Sequence, residues 1–326
     1  MDMLYNIKQV IELIKQKRVL VLAGPEALLN ELPAGSFIGG SCYYFINKGT
    51  GERLNDRIFV YDLTDYIKNY KILTYNDNTL KEIYTDAFRH GFSYIIVPFK
   101  GTAHTELAAN LPDYVDFASK PLYGFVSGVV WEHLSENRAV VVSGLNKFIS
   151  NEDAVVLHVE LPENMYAEVD IIDPFEPDAT IECRFPETSF IINEAYVNNE
   201  CVNFATFLKE NKKDLRFPLM CSEFGAKVNV SFIELKNRTV VMASPVFKGA
   251  TYYFAKVVNN YGLLFKEKIE KAPAFSCNCI LNYQYMGLHK TIISNHLDGP
   301  TTFGEIAYRL LNQTLANLYI MHYDTI

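Results

Sequence analysis

The sequence predicts a mixed α/β protein of two strand-rich halves, with mixed sheets flanked by helices. Three observations lead to that class. The first hundred residues alternate helical spacing of apolar positions with short continuous apolar runs, which reads as helices and buried strands in turn. The middle of the chain is strand-rich, and the next helix follows Asn198-Asn199-Glu200. With 326 residues, 49% of them hydrophobic and 21% charged, the chain can bury a large core and has room for about two domains.

In chain order, Leu4, Ile7, Val10, Ile11 and Ile14 make one apolar helix face. Arg18 to Ala23 follows as a buried strand, and Gly24-Pro25 breaks into a short helix from Glu26 to Leu32. Gly35 to Ile46 reads as one strand, whose Gly39-Gly40 permits a bulge or a close backbone approach. Residues 47–52 form a turn before the strand Ile58 to Leu63. Asn78 is placed to cap a helix running to His90 and ended by Gly91, ahead of the strand Tyr94 to Phe99. Leu122 to Val130, Ala139 to Ser143, Val155 to Leu161, Ala167 to Ile172 and Thr180 to Phe185 are further strands, with Asp173 to Asp178 a loop between the last two.

A helix from Val202 to about Lys213 marks the join of the halves, giving domains 1–200 and 201–326. The second half runs through strands Val228 to Leu235, Thr239 to Ala243 and Tyr252 to Lys256, then a helix over Asn260 to Lys271. Strands Phe275 to Asn282, Phe303 to Tyr308 and Thr314 to Met321 complete it.

Charge and segment composition exclude whole classes of partner. The formal net charge is -8, and the densest basic stretch, Lys209 to Arg216, is interrupted by Glu210 and Asp214. Such a chain repels phosphate backbones, so no nucleic acid is expected. The first seventeen residues hold no apolar signal core, and no apolar run approaches the roughly 18 residues of a membrane span. A chain this long needs no disulfide framework, so its six cysteines are read as reduced thiols and its location as cytoplasmic.

Catalytic signatures are missing. The chain has no G-x-S-x-G elbow, no phosphate-binding G-x-x-x-x-G-K-[ST] loop, no H-E-x-x-H and no C-x-x-C. His289 and His296, with Cys277 and Cys279 near in sequence, are conceivable metal or haem ligands, or simply bracket an exposed loop. His104, at the start of a helix, reads as a surface or capping residue. Cys277 and Cys279 flank Asn278 on a strand, so both thiols face one way and the Asn278 amide the other. An amide inside an apolar strand is either a structural partner or a ligand group.

The C-terminal segment Gly299-Pro300-Thr301-Thr302-Phe303-Gly304-Glu305-Ile306, followed by Asn312-Gln313-Thr314-Leu315, resembles the end of the FIST C-terminal domain. Phe275-Ser276-Cys277-Asn278 is similar to that family's F-S-C-N strand, and Pro245 to Ala250 lies where its pre-helix strand begins. Ile38-Gly39-Gly40-Ser41-Cys42 resembles an N-terminal strand of the same family and adds Ser41 and Cys42 to the candidates. The chain departs from the family pattern at Cys279-Ile280-Leu281, where an anion-binding Arg is lost.

The resemblance implies a sensory protein that binds a small metabolite, an amino acid or a relative of one, and signals to a separate partner protein. It also admits haem binding, although no cofactor is required. On the residues themselves, Glu305 is placed to bind a ligand ammonium, to cap a turn or to pair with Arg309. Thr302, Asn312 and Asn278 supply neutral hydrogen bonds, and Phe303 an apolar wall. The competing readings are an enzyme with a dispersed Cys or Glu site and a haem-binding gas sensor.

Overall fold

The N-terminal helix begins at Ile7, because Asn6 and Gln9 form a reciprocal capping box that satisfies its first backbone donors. Leu4 is left outside it, in a two-residue strand against Phe59. The computed structural model describes residues 3–223, 226–258, 261–266, 268–269, 273–287, 292, 294 and 297–323. Among these, strand outweighs helix, and the strands form five sheets, three of them mixed and two antiparallel.

Three six-stranded sheets each contain one parallel pair: Leu20–Gly24 with Phe37–Ser41, Gly91–Pro98 with Leu122–Ser127, and Phe275–Cys279 with Gly299–Thr302. A fourth six-stranded sheet and a three-stranded sheet are wholly antiparallel. The division expected at residue 200 falls inside the strand Glu200–Asn203. Strands from either side of it share four of the five sheets.

Gly35 to Ile46 is two strands rather than one. Phe37–Ser41 belongs to the first sheet and Tyr44–Asn47 to a different one, beside Gly299–Thr302. The switch is fixed by hydrogen bonds at the corner. The Ser41 hydroxyl donates to Gly128 O (2.7 Å) and accepts from Val140 N (3.0 Å), while Cys42 N donates to Gly24 O (2.9 Å).

Residues 78–90 also differ from expectation. Asn76, not Asn78, caps the segment, accepting from Asn78 N and Thr79 N at 3.0 Å. A single 3-10 turn, Leu80–Glu82, follows and then turns. Thr85, Asp86, Phe88 and His90 are weak helix formers and do not extend it. Asn69–Tyr75 is a strand that the sequence reading missed, with Ile72 and Tyr75 buried. Only Tyr261–Lys266 of the helix expected over 260–271 is described as helical.

Two histidines lie inside the core. His104 is 2% exposed on the helix Thr102–Asn110, packed against Phe99 and Phe190, and so is neither a surface nor a capping residue. His158 sits on Ala154–Glu160 in a hydrogen-bonded chain. Ser93 Oγ meets its Nδ1 at 2.7 Å, and Tyr75 Oη meets its Nε2 at 2.9 Å. Tyr75 in turn donates to Asp86 (2.9 Å). With the tyrosine proton spent on Asp86, Nε2 carries the imidazole proton and Nδ1 accepts from Ser93. The chain pins the strands of residues 69–75, 91–98 and 154–160 in register.

Burial drives the pKa of each histidine down to about 4. The unfolded chain therefore takes up protons below about pH 6.5 while the folded chain does not, and stability falls from there to about pH 4. Each histidine accounts for roughly 3 kcal/mol of that loss. Denaturant unfolding at pH 7 and pH 4.5 is expected to show the drop, and His104→Leu to remove part of it.

Candidate ligand-binding site

The strand Phe275–Cys279 is the centre of the candidate site, with Leu315–His322 on one side and Gly299–Thr302 on the other. It ends at Cys279, not Asn282; Ile280–Met286 is a helix that folds back over the sheet. The helix is tied down by Asn282, whose Nδ2 donates to Asn278 Oδ1 (2.9 Å) and Thr314 O (3.0 Å).

The two faces of this strand carry different chemistry. On the thiol face, Cys277 Sγ meets Thr302 Oγ1 at 3.1 Å, and Thr302 donates to Gly304 O (2.9 Å). Glu305, fully buried, lies beside the Cys279 thiol and accepts from Thr314 Oγ1 (2.7 Å) on one oxygen, while Oε1 has no hydrogen-bond partner. Burial pushes the Glu305 pKa well above the carboxylate range, against smaller opposing pulls from Thr314 and Cys279. The neutral acid is thereby favoured, and a neutral acid is a hydrogen-bond donor rather than a counterion for an ammonium group.

On the opposite face the strands align a row of buried polar groups. Asn278 pairs in register with Thr301 and with Leu315, and Ser276 with Asn317, so Asn278, Thr301 and Asn317 look the same way from three adjacent strands. Each is buried, yet Asn278 Nδ2, Thr301 Oγ1 and both amide atoms of Asn317 lack a hydrogen-bond partner. Around them lies an apolar cluster of Ile46, Ile172, Leu315, Phe175, Phe217, Met220 and Phe265.

Met220 belongs to the fourth sheet, and its register partner there, on the same face, is Asn229. Asn229 Nδ2 donates to Asp173 Oδ1 (3.2 Å), which also accepts from Phe175 N. Asn229 Oδ1 and Asp173 Oδ2 are buried without partners. Burial raises the Asp173 pKa, with Phe175, Asn229, Lys227 and Lys268 pulling the other way.

The interior between the two sheets thus holds six of the twelve buried side-chain polar atoms without a partner among the described residues. An orphan buried polar group costs about 1–3 kcal/mol. Their concentration in one place therefore asks for an occupant that matches them.

The remaining sequence candidates fall elsewhere. Phe303 packs on Phe99 and Trp131 and fills the space over Gly128, where any side chain would collide with its ring. Ser41 holds the sheet-switching corner, and Cys42 Sγ donates to Tyr44 O (3.2 Å) and Thr301 O (3.4 Å) from behind the row. Asn312 accepts from Ser244 (2.7 Å). Ser244 lines a cleft together with Arg309, Leu107, Leu111 and Phe247.

Sequence reasoning missed Thr301, Asn317, Asn229 and Asp173. Asn317 carried the same signal as Asn278, an amide in an apolar strand, whereas Asn229 and Asp173 join the site only through the pairing of distant strands. His289 and His296 lie outside the described residues. Among the described residues, no group of three or more His, Cys, Asp and Glu is placed to hold a metal ion. No described helix is long and apolar enough to cross a membrane.

The thiols differ sharply in environment. Burial raises Cys42 to about 12 and holds Cys277 and Cys279 well above their usual range, while Cys201 is exposed. Thiol reactivity follows the thiolate fraction.

A family model, Family of unknown function (DUF6976), matches residues 5–321. No curated protein and no solved structure matches the chain. This finding overturns the resemblance to FIST domains, since the model that matches nearly the whole chain is of another family. The segments that carried the resemblance answer to local packing instead. Any side chain at Gly299 would strike Ser276 O, and Gly304 takes φ 158° at a strand break.

Two expectations follow. Below about pH 4.5 Glu305 is protonated in both states; above it the unfolded chain ionises while the folded chain keeps the proton, so stability falls as pH rises. Glu305→Gln, which does not titrate, is expected to gain over the wild type, and the gain to be larger at pH 8 than at pH 5 in urea unfolding. In native protein at neutral pH, iodoacetamide followed by peptide mass mapping is expected to find Cys201 modified first and Cys42, Cys277 and Cys279 protected.

Proposed function

We propose that this chain, which belongs to the Family of unknown function (DUF6976), is a small-ligand-binding protein whose ligand lies between the sheet of Asn278 and Asn317 and the sheet of Asn229. One observation carries the reading: unpartnered donors and acceptors on both sides of a single apolar interior. Ligand sites combine apolar walls with a few convergent polar groups in this way. Thr301, Asn278 and Asn317 form one polar wall, Asn229 and Asp173 the other, and Phe175, Phe217 and Phe265 supply the apolar contact. Asn282 holds Asn278 in orientation by taking its Oδ1, which leaves Nδ2 to the ligand. We place the protein in the cytoplasm, where five buried free cysteines and one exposed one stay reduced.

The test is extraction. Purified wild-type protein is denatured and the released small molecules are identified by mass spectrometry, alongside Asn317→Leu prepared in the same way. A molecule released in near-stoichiometric amount from the wild type and at least tenfold depleted from the variant is the expected result. Ligand at about 100 times its dissociation constant then adds about 2.7 kcal/mol to wild-type stability. Release of nothing from either protein, with Asn317→Leu the more stable of the two, would refute the reading, because the amide would then be only a cost.

A further inference from the structure

The two walls differ in hydrogen-bonding sense, and that difference orients whatever lies between them. The atoms left over at Asn229 and Asp173 are both oxygens, Asn229 Oδ1 and Asp173 Oδ2. They are neighbours, because Asn229 Nδ2 already donates to the other Asp173 oxygen. An amide oxygen never donates and a carboxylate oxygen does not while ionised, so with Asp173 ionised this end takes only donors.

Across the interior, Asn278 Nδ2 is a pure donor, Thr301 Oγ1 can donate, and Asn317 offers both senses. The Asn278 oxygen is occupied by Asn282, so rotation of the amide cannot reverse its sense without breaking that bond. Two cationic side chains also stand near the acceptor end: Lys268 Nζ donates to Asp173 O (2.6 Å), and Lys227 pairs with Glu176 (2.9 Å). Along the other wall, exposed Asp170 is the register partner of Asn317.

Resting on the ligand-binding reading above, we infer that the ligand is a small bipolar molecule whose hydrogen-bond donor end meets Asp173 and Asn229 and whose acceptor end meets Asn278 and Thr301. An ammonium and an uncharged amide share the required donor chemistry. The lysines beside Asp173 make the choice between them a matter for experiment. Asp173, rather than Glu305, is then the acid that reads the ligand.

Three probes of similar size separate the possibilities: alanine, with an ammonium; lactamide, with an uncharged amide; and propionate, with no hydrogen-bond donor. Binding of each is measured by calorimetry to wild type, Asn229→Leu and Asp173→Asn, the first variant retaining the carboxylate that holds Phe175 N. A donor-bearing probe is expected to bind wild type at least tenfold more tightly than propionate. That preference is expected to disappear in Asn229→Leu even where Asp173→Asn fails to fold. Preference for alanine identifies an ammonium ligand, and preference for lactamide an amide.

Propionate binding as well as either of the others, with no change in Asn229→Leu, would overturn the orientation and leave a ligand site standing. No binding of any probe, together with release of no molecule from the purified wild type, would overturn both. A released molecule lacking any hydrogen-bond donor would overturn the orientation alone.

Discussion

A polar atom taken out of water has to be matched where it comes to rest, and this rule shapes the centre of the molecule more than any single apolar contact. The segment 299–317 carries Thr301, Thr302, Glu305, Asn312, Gln313, Thr314 and Asn317 into the interior. Most are matched locally: Thr302 on Gly304 O, Thr314 on Glu305, Gln313 between Ser231 and Arg216 O. These bonds are specific in direction, so they fix how the last strands lie against Phe275–Cys279 and how the helix Ile280–Met286 caps them. The matching stops at the face shared with the fourth sheet, and there the demand for an occupant arises.

The two buried acids show how environment separates residues of the same type. Glu305 lies against a thiol and a threonine hydroxyl, with no cation among the causes of its shift, and it settles as the neutral acid. Asp173 is also pushed towards neutrality, but Lys227, Lys268, Asn229 and the backbone of Phe175 all oppose the push. One acid accepts from Thr314 within the core with no cation to hold its charge, and the other lies where two lysines and two hydrogen bonds oppose the effect of burial.

Much of the fold was legible because its strands are short apolar runs with clear turn residues between them. Leu20–Gly24, Ile58–Asp62, Ala154–Glu160 and Leu315–His322 all lie within a few residues of their expected limits. The errors have physical sources. Residues 78–90 contain a credible cap, but Asn76 captures the backbone first, and Thr85, Asp86, Phe88 and His90 do not extend the turn that follows. The break at Cys42 leaves no mark in an apolar run, since both halves are strand and only the sheet changes. Residues 280–282 look like strand by composition, yet the amide of Asn282 finds Asn278 and Thr314 by turning into a helix.

The site was half visible. Asn278 stood out as an amide in an apolar strand, whereas Asp173 sat in what read as an ordinary loop. What gives Asp173 its setting is Asn229, fifty-six positions away. No local pattern encodes that meeting. The short FIST-like segments misled for a related reason: glycine against a carbonyl oxygen and a small polar residue in a tight strand are demands that any crowded sheet imposes.

The placement of the final strand has a consequence for how the chain comes to exist. Leu315–His322 is an interior strand, paired along its length with Met165–Ile172 and also with Phe275–Cys279, and Glu305–Ala307 extends the sheet at Leu122–Ser127. During synthesis, the strands at 122–127 and 165–172 therefore leave the ribosome with an open edge each and wait through roughly 140 to 180 further residues for their neighbours. Exposed strand edges invite pairing with other chains, and long-range pairing is slow. The nascent protein passes through a stage when most of its sequence is made and these edges are still unpaired, the stage at which pairing with other chains competes with folding.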